Sequence, residues 1–416
     1  MENNTLLPSY VVIAYDATKD RGAHELRLVV EQVRMRGDVL RSGNTLLVLG
    51  VIHKVPNPCS SKQMENTYPS KYQIIVKHKK SGSQFRSSKA PILCSVCGAR
   101  TELYVDKMRF TFGEIQQATD DFSKDNLLGE GGYGRVYKGK LRDGQLIAAK
   151  VHKEASTQGF TEFQSEVYVL SFARHKNIVM LLGFCCKEKI NILVYEYICN
   201  KSLYWHLFDK TANTLGWRQR FAIAIATAKG LRFLHEECRG GPIIHRDLRP
   251  SNILTLFQWS TSLPLCIGDF GLARWKNGDD PVQTRVLGTF GYLAPEYAEN
   301  GVVSVKTDIY AFGIVLLQLI SGRKVFDEKR VEGQQSLHQW AEPLLDGLAL
   351  HELIDCRLGK SYERNELYLM AKATSLCMRR DPGARPSIGE VLRLLEGDDE
   401  RVKHMKQRFA PQNKKH

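Results

Sequence analysis

The sequence predicts an α+β fold in two lobes, the first rich in β-strand and the second helical, preceded by a partial α/β segment in βαβ order. Three observations carry that expectation. At 416 residues the chain exceeds one ordinary core, since domains run to roughly 100–200 residues each. Residues 10–55 show strand, helix and strand patterning. From Gly129 onward an ordered series of short motifs follows: Gly129-Glu130-Gly131-Gly132-Tyr133-Gly134, Lys150, Glu166, His245-Arg246-Asp247, Asn252, Asp269-Phe270-Gly271 and Ala294-Pro295-Glu296. Their order weighs more than any one of them, because each supplies a different part of one reaction centre.

Composition narrows the class. Apolar residues make up 43% and charged residues 25%, the mixture of a soluble globular protein with ample material for a core. The longest apolar stretch, Phe312 to Ile320, is well short of the roughly 20 residues a membrane helix needs. Met1-Glu2-Asn3-Asn4 carries neither a charged-then-apolar signal nor a myristoylation glycine. A cytoplasmic protein is expected, with at most peripheral attachment at the plasma membrane. Ten cysteines in no disulfide framework read as reduced thiols. Cys94-Ser95-Val96-Cys97 has metal-like spacing, but no second pair follows to complete four ligands. The net charge of +14 gathers in two runs, Lys71 to Lys89 and Arg401 to His416, each with six bases and no acid. Such runs read as solvated linker and tail, so nucleic acid is not an expected partner and contact with an anionic membrane is expected to be weak.

Tyr10 to Tyr15 is a β run of buried type, Gly22 to Arg36 has helical apolar spacing, and Thr45 to Ile52 is a second apolar run. One βαβ unit cannot cover both faces of its sheet, so residues 1–55 are expected as a partial domain. Residues 56–107 are dominated by Ser, Lys, Gln and Pro, with one strand candidate at Tyr72 to Val76, and are expected as a basic linker. Thr111 precedes Phe112-Gly113-Glu114-Ile115 in the pattern of a capped helix running through Ala118 toward Phe122. The catalytic unit is placed at 108–397, its β-rich lobe about 122–198 and its helical lobe about 199–397, with a basic tail at 398–416.

A glycine motif of this kind also opens dinucleotide-binding helices, so its surroundings decide its meaning. Here Gly134 leads into Arg135-Val136-Tyr137-Lys138-Gly139-Lys140-Leu141, the turn signal Asp143-Gly144, and the strand Leu146-Ile147-Ala148-Ala149-Lys150. That is a β-hairpin, which suits a flap over phosphates rather than the start of a helix. A P-loop is also disfavoured, because Leu141 stands where a magnesium-binding Ser or Thr is required. Glycines let the backbone approach phosphates where a Cβ would intrude.

In this order the motifs resemble those of protein kinases. From Phe110 to about Glu396 the chain is similar to the receptor-like (Pelle-type) kinases of plants, on the stretches FTFGEIQQATDDF, LLGEGGYGRVYKG, LVYEYICNKSL and GTFGYLAPEYAENG. The resemblance implies the bilobal protein kinase fold, ATP and Mg²⁺ as cofactors, and Ser/Thr hydroxyls of proteins as acceptors. Residue by residue, it implies that Leu128, Gly129, Glu130, Gly131, Gly132, Tyr133 and Gly134 cover the nucleotide, that Val136 and Ala148 roof the adenine, and that Leu254 floors it. Tyr195, Glu196 and Ile198 belong to the hinge, with Tyr195 narrowing the rear of the pocket. Lys150 neutralises the α and β phosphates and pairs with Glu166 on an amphipathic helix. Asp247 is the catalytic base, and Asn252 and Asp269 hold magnesium. Arg246 is expected to bind a phosphorylated residue of the 269–296 loop, with Thr284 as the phosphosite, while Thr289 bonds the catalytic aspartate and marks the Ser/Thr class. Asp308 braces the catalytic loop and Arg385 partners Glu296. An upstream receptor kinase is an implied partner.

Two departures stand against this pattern. Arg249 replaces the usual lysine near the γ phosphate, and a guanidinium is not an equivalent point charge. Thr255 to Ile267 lengthens the path from Asn252 to Asp269 by about four residues, with Phe257 and Trp259 inside it. They motivate the alternative of a catalytically impaired pseudokinase acting as a nucleotide-binding scaffold. The first 55 residues resemble the opening of a universal-stress-protein domain, Val11 to Asp16 its first strand and Asp16 at its nucleotide contact, without that domain's glycine-rich phosphate signature. With APILCSVCGAR they are similar to cytoplasmic plant kinases that join such a domain to a receptor-like catalytic unit.

Overall fold

The computed structural model describes residues 10–16, 45–51, 109–131, 134–152, 157–187, 190–238, 241–255, 265–275 and 282–397. The chain divides into two units, Met1–Ser81 and Gly82–His416. In the first, strand β1 (Tyr10–Asp16) pairs in parallel with β2 (Thr45–Val51), Tyr10 opposite Thr45 and Asp16 opposite Val51. Both strands fall where the apolar runs place them. The helix expected over Gly22–Arg36, the strand candidate at Tyr72–Val76, the Cys94–Cys97 pair and both basic runs lie outside the described residues.

The second unit opens with helix α1 (Phe112–Ala118). Thr111 caps it as the sequence predicts: its hydroxyl accepts from Glu114 N at 3.2 Å while Glu114 Oε2 accepts from Thr111 N at 2.7 Å. The helix ends at Ala118 rather than running to Phe122, because Thr119 diverts the chain. The Thr119 hydroxyl bonds Ile115 O and accepts from Phe122 N, and Asp120, Asp121 and Phe122 then take left-handed backbone. This brings Phe122 between Phe112 and Tyr137, with ring centroids 5.7 and 5.5 Å away.

Five antiparallel strands follow, β3 (Leu127–Gly131), β4 (Gly134–Lys140), β5 (Leu146–His152), β6 (Leu181–Lys187) and β7 (Ile190–Glu196), in the spatial order β3-β4-β5-β7-β6. The Asp143–Gly144 turn joins β4 to β5, with Gly144 at φ 89° and Asp143 Oδ1 accepting from Gln145 N at 3.0 Å. Period-two alternation divides the sheet's faces. Ile147 and Ala149 of β5 with Ile192 and Val194 of β7 form one small core that Ile115 of α1 closes. Ala148, Lys150, Leu193 and Tyr195 alternate with them and so face the other way. The register sets Lys150 opposite Leu193 and Ala148 opposite Tyr195.

Helix α2 (Thr157–Phe172) packs against β5, β6 and β7. Its buried residues Phe163, Glu166, Val167 and Leu170 recur at helical spacing, so a single stripe carries both core packing and a carboxylate.

The second lobe contains α3 (Leu203–Phe208), α4 (Trp217–Arg232), α5 (Pro295–Asn300), α6 (Val305–Ser321), α7 (Leu337–Asp346), α8 (Leu350–Leu353), α9 (Arg364–Cys377) and α10 (Ile388–Leu395). Helix α6 is buried on all sides from Thr307 onward, which is why it contains the longest apolar run in the chain: it is the core of this lobe. Among the described residues no helix is long and apolar enough to cross a membrane. Short antiparallel pairs dress the inner edge: β8 (Ile243–Ile244) with β11 (Arg274–Trp275), β9 (Ile253–Thr255) with β10 (Leu265–Ile267), and β12 (Val282–Gln283) with β13 (Val302–Val303).

Candidate active site

A cleft of about 690 Å³ opens where the inner face of the sheet meets β9 and the residues after β10. Leu128, Gly129, Val136 and Ala148 line it from above, Tyr195, Glu196 and Ile198 from the end of β7, and Leu254 from below. Lys150, Glu166 and Asp269 supply its charge. The volume and mostly apolar walls suit a nucleotide-sized ligand. Glu130, Gly131 and Gly134 sit in the β3–β4 hairpin beside it; Glu130 pairs with Arg135 at 3.2 Å. Gly132 and Tyr133 lie outside the described residues. A Cβ on Gly134 would stand 2.2 Å from Val151 O, so only glycine lets β4 cross β5 there. Nothing lies within 4 Å of a Cβ built on Gly129 or Gly131, which leaves their backbone open to a ligand.

Lys150 is the electrostatic centre. Its Nζ donates to Glu166 Oε1 at 2.5 Å and to Asp269 Oδ1 at 2.8 Å. Burial favours loss of the lysine's proton, but the carboxylates of Asp269 and Glu166 outweigh it and hold the ammonium above its ordinary pKa. For Glu166, desolvation dominates and pushes the carboxyl up against the pull of Lys150. Burial also acts upward on Asp269, yet Lys150, with His245 and Arg249 behind it, brings that carboxyl below its usual range. The second oxygen of Glu166 accepts a hydrogen bond from the Tyr195 hydroxyl. Tyr195 therefore does more than narrow the pocket: it fixes the rotamer of the carboxylate that orients Lys150. Glu196 turns its carboxylate onto Met180 N at 2.8 Å while its own backbone N donates to Met180 O at 3.1 Å, which ties the end of β7 to the residue before β6.

The catalytic loop is held from beneath by α6. Asp308 accepts from His245 N at 2.7 Å, from Arg246 N at 2.9 Å and from His235 Nε2 at 2.9 Å, the brace the sequence predicts. Arg246 takes left-handed backbone at φ 71° under that restraint. Asp247 then presents both oxygens. Oδ1 accepts from Thr289 Oγ1 at 2.7 Å; Oδ2 accepts from Asn252 Nδ2 and from Arg249 Nε, each at 3.1 Å. Arg249, where a lysine is expected, is thus within hydrogen-bond reach of the Asp247 carboxylate. Phe270 is buried against His245, with ring centroids 4.8 Å apart, which directs Asp269 toward Lys150.

The lengthened segment does not separate the two metal-binding candidates. Thr255 pairs with Leu265 and Ile253 with Ile267, so the extra length falls between two paired strands; residues 256–264 lie outside the described residues. Gly268 N donates to Asn252 O at 2.8 Å, which brings the residue before Asp269 against Asn252. The Asn252 amide nitrogen is engaged by Asp247 O at 2.8 Å and by Asp247 Oδ2, so its carbonyl oxygen is the atom left to a cation. One carboxylate and one amide oxygen, completed by phosphates, are the hard donors Mg²⁺ takes. Among the described residues no group of three or more metal-ligating side chains is found.

Arg246 does not reach Thr284. Its guanidinium donates to Leu272 O at 3.3 Å, Arg285 O at 3.1 Å and the Tyr297 hydroxyl at 2.5 Å, while Thr284 N donates to Gly301 O at 2.9 Å. Arg385 grips Glu296 with both terminal nitrogens, at 2.7 and 2.8 Å, as the sequence predicts. Sequence reasoning missed Val179, Lys201, Ser202, Trp205 and Ser251 in the cleft wall. Lys201 Nζ lies 3.8 Å from the Trp205 ring centroid; Lys201 falls within the LVYEYICNKSL stretch, but its stacking on Trp205 in the cleft wall comes from the packing of α3 beside the hinge.

A family model described as the protein kinase domain matches residues 122–394. The proline-rich receptor-like protein kinase PERK3 of Arabidopsis thaliana is 44% identical over 302 residues, 71% of this chain and 58% of that protein. PERK13 of the same plant is 42% identical over 322 residues, 76% of this chain and 44% of that protein. A protein of Selaginella moellendorffii named as an inactive protein kinase is 43% identical over 314 residues, 75% of this chain and 46% of that protein. The chain spans about half the length of the curated relatives it matches.

Proposed function

We propose that this chain, which belongs to the protein kinase family, transfers the γ-phosphate of ATP to serine and threonine hydroxyls of proteins. The observation that carries the reading is the simultaneous closure of three contacts: Lys150 with Glu166 and with Asp269 on the nucleotide side, and Thr289 with Asp247 on the acceptor side. The hinge and the walls of the cleft hold the adenine, and the open backbone of Gly129 and Gly131 lies over the phosphates. Lys150 neutralises the α and β phosphates. Asn252 and Asp269 are the residues that would hold Mg²⁺, which when bound offsets phosphate charge. Asp247 accepts the proton of the acceptor hydroxyl as its oxygen bonds to the γ phosphorus and the bridging bond to ADP breaks. Arg249, on the same carboxylate, orients that base and lies within reach of the transferring group. The Thr289 contact supports Ser/Thr acceptors.

Residues 1–55 carry the reading of a partial universal-stress-protein-like segment, which the parallel β1–β2 pair supports. The basic runs suit weak contact with the anionic cytoplasmic face of the plasma membrane, where an upstream receptor kinase would meet this chain. The test is autophosphorylation of the purified chain with Mg-ATP, beside Asp247→Asn. Phosphate incorporation that vanishes in the variant is expected. ATP binding with no transfer above the Asp247→Asn level would replace the reading with that of a nucleotide-binding scaffold.

A further inference from the structure

In the activation segment the stretch around Thr289 must be held for Thr289 to meet Asp247. From Thr284 to Thr289, residues Thr284, Arg285, Leu287 and Thr289 are each tied down, and one side chain recurs among the ties. The Tyr297 hydroxyl accepts from Leu287 N at 2.9 Å and from Arg246 Nη2 at 2.5 Å, and donates to Arg285 O at 3.1 Å. That fills both lone pairs and the one proton of a phenol. Tyr297 is 1% exposed and Arg246 6% exposed, and the guanidinium carbon lies 5.5 Å from the ring centroid. The hub is anchored from two sides. Arg246 is held by Asp308 through its backbone nitrogen, and Tyr297 follows Glu296, which Arg385 grips.

We propose that Tyr297 is the positioning residue that orders residues 284–289 in the unphosphorylated chain, its hydroxyl holding the loop backbone and one donor of Arg246 together. The inference rests on the kinase reading above and assigns the regulation of that same site. Thr284, the sequence's candidate phosphosite, faces different partners: its nitrogen is bonded to Gly301 O, and its own carbonyl lies 2.5 Å from where a Cβ on Gly301 would stand. Three of the five guanidinium N–H donors of Arg246 are engaged, both on Nη2 and one on Nη1, and its Nε is buried without a partner. Order in this segment is then built into the fold through a chain of contacts from Arg385 and Glu296 to Tyr297, from Tyr297 to Arg285 and Leu287, and from Thr289 to Asp247.

The experiment uses the full chain treated with phosphatase, as wild type, Tyr297→Phe and Thr284→Ala. Hydrogen exchange read on peptides covering residues 284–290 reports the bond from Leu287 N directly, with α6 as internal reference. Protection in the wild type, lost by about tenfold or more in Tyr297→Phe while α6 is unchanged, is the expected result, since one buried hydrogen bond is worth about that factor. In the first minutes of turnover kcat falls by about tenfold in Tyr297→Phe with the KM for ATP unmoved, and Thr284→Ala stays within twofold of wild type. A merely structural tyrosine would lower the melting temperature without separating kcat from KM. Rapid exchange over 284–290 in the phosphatase-treated wild type overturns the proposal without recourse to any variant. So does a Thr284→Ala protein as inactive as Asp247→Asn. The exchange readout needs no phosphotransfer, so failure of the latch and failure of the kinase reading are separately visible.

Discussion

At the cleft one lysine serves two carboxylates, whereas under the helical lobe one carboxylate serves two arginines. Lys150 bridges Glu166 and Asp269; Asp355 accepts from Arg220 at 2.6 Å and from Arg357 at 2.8 Å. Both are ion-pair clusters around a largely buried central residue, and they have opposite uses. Every guanidinium nitrogen of Arg220 has an internal partner, Leu215 O for Nε and Leu319 O for Nη1, each at 2.9 Å, beside Asp355 for Nη2, and Arg357 reaches on to Leu207 O. Asp355 is held below the usual carboxylate range by these arginines despite its burial. That cluster is complete, so it joins four segments and accepts nothing more. The cleft cluster is incomplete. It carries one more negative than positive charge and lines a cavity, so its remaining oxygen valence is directed at a ligand.

The comparison predicts opposite phenotypes for loss of the central cation. Lys150→Met should cut phosphotransfer by about 10²–10³-fold while its melting temperature stays within about 4 °C of wild type, because burial already pushes the Glu166 carboxyl up and it can take a proton in place of the lost cation. Unfolding of that variant in a calorimeter at the growth temperature would erase the distinction. Arg220→Met should do the reverse: a loss of about 3–5 kcal/mol in denaturant unfolding, because Asp355 and two backbone carbonyls lose a buried partner, with near-normal kcat per folded molecule. If urea midpoints of the two variants coincide, connectivity is not what separates the clusters.

Smaller changes sharpen the same contrast. Tyr195→Phe removes the hydroxyl that fixes Glu166 and should lower kcat by about 5–10-fold, the size of one typical hydrogen bond; an unchanged steady-state kcat would show that Lys150 alone orients the carboxylate. His152 lies two positions along β5 on the same face as Lys150, packed edge-on against Phe163 at 5.7 Å with both ring nitrogens buried and unpartnered. Burial, aided by Lys150, lowers its pKa from the ordinary 6.5 to about 3. The unfolded chain therefore takes up a proton first as pH falls, and stability present above pH 6.5 is lost progressively down to about pH 3. His152→Phe should add about 1 kcal/mol at neutral pH and remove up to ~1.4 kcal/mol per pH unit from the acid slope. Guanidinium melts at several pH values would check it, and parallel acid limbs for the two proteins would refute the assignment.

Much of the site was legible because its signals are local or its motifs are dense. Thr111 and Glu114 cap a helix three residues apart, and Asp143-Gly144 turns a hairpin whose register then puts Lys150 on the cleft face. Asp308 and Arg385 took the bracing roles that their motifs imply. The contacts that went unread join residues with no local signature. Arg220 and Asp355 are 135 positions apart and Tyr195 and Glu166 are 29 apart. The lengthened segment after Asn252 looked like a threat to the metal site, because a sequence count cannot tell a longer loop from a displaced strand. Pairing of β9 with β10 resolves that ambiguity, since an antiparallel ladder fixes both ends of a loop whatever its length.

By itself the sequence determined the chemistry available and its order along the chain: which residues carry charge, where glycine opens the backbone, which stripe of α2 is apolar, and the capped and turned boundaries of the first lobe. Those properties depend on residues a few positions apart, where backbone sterics and period-two or period-3.6 burial act. Tertiary structure alone decided how the charges are shared: that Lys150 is divided between two carboxylates, that Tyr195 holds one of them, and that Arg246 turns to Tyr297 rather than to Thr284. A buried charge must find its partners among whatever the packing brings within about 3 Å, and that neighbourhood is written in the crossing of strands and helices from distant parts of the chain.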